Sequence, residues 1–393
     1  MSDKLNFSGN WTHTNHQNVM RHGDFIVAGW VGSDGYVYVG RYNTISKEST
    51  ERKLYKVGGI IDDHNAPTLA IDRGGSIHVF FTGHNLVNTI YYYICREIEI
   101  FEFTPRTPLT FAGNLAYATA HTYNTPYGLS NKETKIMIVA REGSIETGSW
   151  VIKVSLDTGK TWSAQKTLVR SPSGYLRGRG ANPFTAGVAN GFVNFGWYFP
   201  EDMQQDAYFF RLDLISGDIS LSAGTTIANI FTGVGLPLTN ATIERIYTNG
   251  RVSAIGTKTG STMPVFMVEK TPAGFFGDML YIYHNGASWV QNTVKVKNTM
   301  AWAEVKDRDG NVVYLAGEDG LTRYVDRLVT ADGGATWTTT RLYSSSSPMP
   351  IPKDLKAVID GKETEIVWLN SYFNHYVGEG NFSARITTHD PIA

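Results

Sequence analysis

What most constrains the fold of this chain is a recurring unit: a short apolar or β-branched strand, a turn of Gly, Asp or Asn, an aromatic-rich strand, then a third strand and often a fourth. Seven starts of the unit can be placed, near Gly23, Asn65, Asn124, Asn182, Thr242, Ala301 and Lys356. The turns fall at 32–35, 73–75, 131–133, 190–191, 249–250, 307–310 and 360–362. Spread over 393 residues, the mean spacing is about 56, close to the larger propeller repeats. No stretch of helix length carries a 3.6-residue apolar period. The chain is therefore expected to be all-β, a single β-propeller domain over residues 1–393 with seven blades. Six is the nearest alternative, if the first or last unit supplies only a closing strand.

Two short segments support this fold independently. SLDTGKTW (Ser155 to Trp162) and TADGGATW (Thr330 to Trp337) both fit S/T-x-D-x-G-x-T-W, the pattern called an Asp box. The Asp side chain caps turn amides, Gly takes a positive φ, and Trp packs beneath. Asp157 and Asp332 are thus expected to be structural, not catalytic.

Composition narrows the function. With 40 glycines, 12% aromatics, 18% charged residues and a formal net charge of -1, the chain reads as a packed globular protein with no basic patch for nucleic acid. Its apolar stretches, such as Ile77 to Phe81 and Ile136 to Ala140, are far below the roughly 18 residues a membrane helix needs. The start MSDKLNFSGNW has no charged-then-apolar leader. One cysteine, Cys95, excludes an internal disulfide framework and a multi-cysteine zinc site, and is expected in a buried strand.

Candidate chemistry lies in two successive hairpins. Within DDHNAPTLAIDRGGSIHVFFTGHN (Asp62 to Asn85), the stretches 67–72 and 76–82 flank the turn Arg73, Gly74 and Gly75. Pairing about that turn sets His64 opposite His84, with Asp62 and Asp63 placed to orient His64. In the next unit a turn at Asn131 to Glu133 sets Tyr123 opposite Arg141. Pairing about Asn190 and Gly191 sets Trp197 opposite Phe184 and Tyr198 opposite Pro183, while pairing about Asn249 and Gly250 sets Thr242 opposite Thr257, beside Lys258. Around 307–310, Glu318 faces Thr299.

Asp boxes raise a sialidase-type glycoside hydrolase first. That chemistry needs three arginines on a carboxylate, and the F-R-I-P-like strand that normally carries the first is missing. The run D-H-N-x-P...G-x-I-H-V-F...H-N (Asp63 to Asn85), with T-Y-N-x-P (Thr122 to Pro126) and the strand-closing Arg141, resembles instead the seven-bladed propeller polysaccharide lyases that cut ulvan and their BNR-repeat relatives. The resemblance implies His64 and Tyr123 as base and acid, and His84 and Arg141 as the groups that engage a uronate carboxylate. It implies β-elimination on an anionic polysaccharide, a chemistry that requires no cofactor; the expected site of action is extracellular, secreted or on a virion. Candidates for substrate contact are Asn65, Arg179, Asn182, Trp197, Tyr198 and Lys258. No metal ligands are expected in the site; a structural calcium is compatible with the fold.

The chemistry of these side chains agrees. A uronate C5 proton becomes removable when the adjacent carboxylate is neutralised, and a fixed guanidinium stabilises the enolate-like charge that develops. Imidazole suits a base near neutrality, and a phenol can protonate the departing oxygen. One departure is RGANPF (Arg179 to Phe184), where Phe184 stands in place of a tyrosine usual in these lyases; Tyr198 is the candidate replacement. The rival reading is a glycan-binding propeller without turnover. The polymer, its sulfation, endo or exo action and the oligomeric state are not legible in the sequence.

Overall fold

A computed structural model describes residues 3–4, 18–32, 34–58, 65–124, 133–143, 148–170, 184–189, 192–199, 206–239, 241–257, 263–270, 278–295, 299–305, 311–319, 322–346, 351–360, 363–371 and 383–389. All the extended elements among them are strands, and the chain divides into two compact units, 1–170 with 373–387, and 171–372 with 388–393.

The first unit begins with β1 (Asp3–Lys4) and holds three complete antiparallel sheets of consecutive strands. The first is β2 (Val19–His22), β3 (Phe25–Val31), β4 (Tyr36–Asn43) and β5 (Ser49–Lys56). The second is β6 (Thr68–Ile71), β7 (Ile77–Phe81) and β8 (Thr89–Cys95), edged by the short β9 (Thr104–Pro105) and β10 (Leu109–Thr110). The third is β11 (Leu115–Asn124), β12 (Thr134–Glu142), β13 (Ser149–Ser155) and β14 (Lys166–Arg170).

The second unit holds three more. One is β15 (Phe184–Ala189), β16 (Phe192–Phe199), β17 (Asp206–Asp213), β18 (Asp218–Ser220) and β19 (Thr226–Asn229), with β20 (Glu244–Tyr247) paired to β17. The next is β21 (Gly250–Thr257), β22 (Pro264–Lys270), β23 (Met279–His284) and β24 (Trp289–Lys295); the third is β25 (Thr299–Val305), β26 (Val312–Asp319), β27 (Thr322–Val329) and β28 (Thr338–Ser345). The remaining strands are β29 (Ile351–Asp360), β30 (Glu363–Ser371) and β31 (Ser383–His389). β29 pairs with β30, and β31 pairs with β1 through Asp3↔Ile386 and Lys4↔Arg385.

Six runs of consecutive strands are therefore complete blades, against the seven expected. The strands that remain, β29, β30, β31 and β1, belong to a four-stranded sheet but are not a run of consecutive strands, since β1 comes from the other end of the chain. A second correction concerns the turn at 249–250. β20 joins the preceding sheet through Ala207↔Tyr247 and Phe209↔Glu244, and Thr257 pairs with Pro264, so Thr242 does not face Thr257. Asn249 takes φ 58° and carries the chain between sheets instead of closing a hairpin. The expected facing of Thr299 and Glu318 is present.

The central strands explain why their sequences read as continuous apolar runs in an antiparallel protein. Alternate residues point to opposite faces, and both faces are covered by neighbouring sheets. In β7, Ile77, Val79 and Phe81 join a core with Val27, Val37 and Val39 of the first sheet. Phe80 on the other face joins Ala118, Ala120, Ile136, Ile138 and Ala140 of the third. Cys95 is buried at the end of β8. In the second unit, Phe266 packs with Phe209, and its neighbours Val265 and Met267 pack with Val313 and Leu315.

The two S/T-x-D-x-G-x-T-W segments make the same hydrogen bonds. Thr161 donates its N–H and hydroxyl to Asp157 at 2.9 and 2.6 Å; Thr336 does so to Asp332 at 2.8 and 2.6 Å. Gly159 N–H donates to Ser155 Oγ, and Gly334 N–H to Thr330 Oγ1. The bonds from Thr336 hold the Asp332 carboxyl down at about 2, so it is an ionised acceptor near neutrality. Each turn rests on a tyrosine of the preceding blade. A Cβ on Gly159 would meet the Tyr92 hydroxyl at 2.4 Å, and one on Gly334 would meet the Tyr281 ring at 2.7 Å. Trp162 and Trp337 meet the same two rings edge-on.

Candidate functional site

The β6–β7 hairpin has the register expected for it. Ile71 faces Ile77 and Thr68 faces Phe80, because the tight turn at 73–75 leaves no slack. His64 lies outside the described residues, as do Asp62 and Asp63. His84 follows β7 on the side away from the turn and is half-buried. Asn65 is 1% exposed, an interior residue.

The β11–β12 hairpin differs from the expectation. Its ladder runs Asn124↔Thr134, Tyr123↔Lys135 and on to Ala116↔Arg141, with a bulge between Ala116 and Thr119. Tyr123 is therefore not opposite Arg141. It lies at the turn end of the hairpin, six residues or about 20 Å of strand from that arginine. β11 continues as strand through Asn124 and β12 begins at Thr134, so more than three residues separate the paired strands and the whole register moves. The Tyr123 side chain lies outside what is described.

The bulge brings a different tyrosine to Arg141. Tyr117 has φ 56°, in the left-handed region that a non-glycine residue enters at a cost, and such residues gather at functional sites. The Arg141 guanidinium carbon lies over the Tyr117 ring, 4.8 Å from its centroid. Tyr117 stacks in turn on Trp150, whose backbone pairs with Arg141 across β12 and β13. Arg141 Nη2 donates to Asn85 Oδ1 at 3.1 Å. Asn85 adjoins His84 and also has a positive φ, 54°. Its backbone is pinned by Asn85 N–H to Leu115 O at 2.9 Å and by Asn114 Nδ2 to Asn85 O at 3.0 Å. Arg141 thus gathers Asn85 and Tyr117, and His84 is the chain neighbour of Asn85.

Sequence reasoning missed Tyr117 and the part played by Asn85. The bulge that presents Tyr117 leaves no mark in LAYATAHTYN, where Tyr117 reads as one more alternating strand residue. Asn85 stands within the H-N pair that ends the Asp62 to Asn85 run; its later exchange with Arg141 is set by tertiary contact.

The remaining candidates are more distant in the chain. Phe184 pairs with Gly196, not with Trp197, because a bulge between Ala186 and Ala189 shifts the ladder by one residue. A one-residue shift exchanges the two faces of the strand. Trp197 and Tyr198 lie in β16 with their side chains outside what is described, and Arg179, Asn182 and Lys258 lie outside the described residues. Among the described residues, no group of three His, Cys, Asp or Glu is placed to hold a metal ion.

Deeper in the same unit a buried Asp–His–Tyr chain ties the second blade together. His78 meets Asp72 Oδ2 through Nε2 at 3.1 Å and the Tyr92 hydroxyl through Nδ1 at 2.7 Å. Burial opposes the Asp72 charge, but bonds from His78 and the Ser76 amide outweigh it and hold the carboxyl below its ordinary range. Burial pushes Tyr92 up to about 12. His78 is wholly buried, so this chain is structural.

Comparison with known proteins gives the fold and the family. Two solved structures similar to this one are a PL25 ulvan lyase bound to -[GlcA(1-4)Rha3S]-, at TM-score 0.69 and 14% identity over 98% of this chain and 93% of that one, and the polysaccharide lyase Uly1, at TM-score 0.62 and 14% identity over 97% and 92%. At that identity the likeness shows the fold, a β-propeller. No curated protein sequence matches. The model of the BNR repeat-containing family matches residues 26–297, and the chain belongs to that family.

Proposed function

We propose that this protein is a polysaccharide lyase that cleaves a uronate-containing anionic polysaccharide by β-elimination, outside the cell or on a virion surface. The observation that carries the reading is the cluster of Arg141, Tyr117 and Asn85 beside His84, in a chain whose fold is shared with ulvan lyases. Arg141 is the cation for the uronate carboxylate, and His84 its neighbour. Neutralising that carboxylate acidifies the C5 proton, and the guanidinium then stabilises the charge that passes onto the carboxylate as the proton leaves. His64 is the base that removes the proton. Tyr117, not Tyr123, is the phenol at Arg141 and the donor to the departing glycosidic oxygen. The C4–O4 bond breaks, a C4=C5 double bond forms, and no external oxidant or reductant is involved. The two S/T-x-D-x-G-x-T-W turns are read as Asp boxes that brace the blades.

The test is to incubate the protein with a panel of anionic polysaccharides and follow the ultraviolet absorbance of the unsaturated uronate. A rising signal is expected with at least one glucuronate-containing polymer. Tight binding with no signal on any polymer would replace the lyase with a glycan-binding propeller.

A further inference from the structure

Arg141 is 2% exposed, so no ligand group reaches its guanidinium without displacing something that now touches it. Two of its neighbours differ in kind. The Tyr117 ring offers the guanidinium a π face, which is not the in-plane acceptor that a carboxylate supplies. Asn85 Oδ1 is such an acceptor, and it occupies the Nη2 donor at 3.1 Å. The backbone of Asn85 is held on both sides without help from its side chain, by Leu115 O and by Asn114 Nδ2. The amide can therefore rotate off Arg141 while the backbone stays in place, and the half-buried position leaves it room to do so. A carboxylate makes a stronger, charge-assisted bond to guanidinium than a neutral amide does, whereas a sugar hydroxyl does not.

We infer that Asn85 is a specificity-determining residue: its amide oxygen stands in for the ligand's carboxylate on Arg141, yields to uronates and holds the site against neutral sugars. The inference rests on the reading of Arg141 as the carboxylate site. It turns on one side chain, so two substitutions at that position test it. Asn85→Asp fixes a permanent carboxylate on Arg141. Asn85→Gly removes the stand-in and keeps the positive φ, which glycine adopts freely.

The experiment is an NMR titration of the isotope-labelled protein with glucuronate, and with its neutral methyl ester as control; thermal melting verifies that each variant is folded. The wild type is expected to bind glucuronate in preference to the ester. Asn85→Asp should weaken glucuronate binding by about tenfold or more, the scale of one hydrogen bond to a charged group, and Asn85→Gly should tighten it by about threefold or more, the scale of an ordinary hydrogen bond. If the wild type does not prefer glucuronate, the carboxylate reading of Arg141 fails and the stand-in fails with it. If the wild type does prefer it but Asn85→Asp binds as well as the wild type, or Asn85→Gly binds more weakly, the stand-in alone is overturned and Asn85 is a direct ligand contact or a loop residue.

Discussion

At the scale of the residue, two tyrosines compete for one role, and the register decides between them. Tyr123 occupies the turn end of its hairpin, opposite Lys135, whereas Tyr117 lies against Arg141. On the substrate found by the absorbance screen, Tyr117→Phe should lower kcat by about a hundredfold or more, the usual scale of a positioned proton donor. Tyr123→Phe should change it by less than about threefold, within the range of a contact remote from the chemistry. The reverse ranking would return the role to Tyr123. A second residue sets a pH limit. His121 is fully buried, and burial alone pushes its titration down to about 3. An unfolded imidazole titrates near 6.5, so the folded value is the lower one: the stability contributed by the neutral ring is present above about 6.5 and is lost as pH falls toward 3, by up to about 1.4 kcal/mol per pH unit. Asp72 also has a lowered pKa, but its contribution is lost only below about pH 4, the unfolded carboxyl value. Urea unfolding of His121→Gln between these limits should therefore show a shallower loss with acid than the wild type. An unchanged slope would mean that His121 is not the group that titrates.

At the scale of the element, what was legible in the sequence depended on the turn. Arg73, Gly74 and Gly75 make a tight connection, and the β6–β7 register follows from it. The β11–β12 connection is longer, and the Ala116/Thr119 bulge adds a further offset, so a pairing counted from Asn131 to Glu133 could not succeed. The β15–β16 ladder is right beside its turn, at Ala189↔Phe192, and slips by one residue beyond its bulge. Bulges are chosen by packing against neighbours, which a strand pattern does not encode. The S/T-x-D-x-G-x-T-W turns were legible because their bonds are local. They also yield a sharp comparison, since Gly333 and Gly334 are adjacent and both have positive φ, 71° and 95°, but a Cβ on Gly333 meets nothing within 4 Å and one on Gly334 meets the Tyr281 ring at 2.7 Å. Gly333→Ala should cost about 1 to 2 kcal/mol, from backbone strain alone. Gly334→Ala should cost about 1 to 3 kcal/mol more, from overpacking. Equal losses in chemical denaturation would show that the turn does not bear on Tyr281.

At the scale of the whole molecule, the all-β class and the propeller were legible from the repeat, because each unit needs a neighbour on both faces and so reads as runs of buried strands. The number of blades built from consecutive strands was not: Lys356 lies inside β29, whose sheet also takes β1, and the strand that pairs with β31 comes from residues 3 and 4 at the other end of the chain. A count of unit starts has no means of seeing that pairing. The candidate site was half legible. Arg141 and His84 were named from the sequence, while the groups that hold and cover the guanidinium, Asn85 and Tyr117, are set by a loop and a bulge meeting across two blades. Elimination at a uronate differs from hydrolysis by one molecule of water. The most direct measurement is the mass of the oligosaccharides released from a glucuronate-containing polymer. A lyase releases products whose non-reducing ends are lighter by one water than the corresponding hydrolysis fragments. Products that have gained that water would contradict it and make the protein a hydrolase.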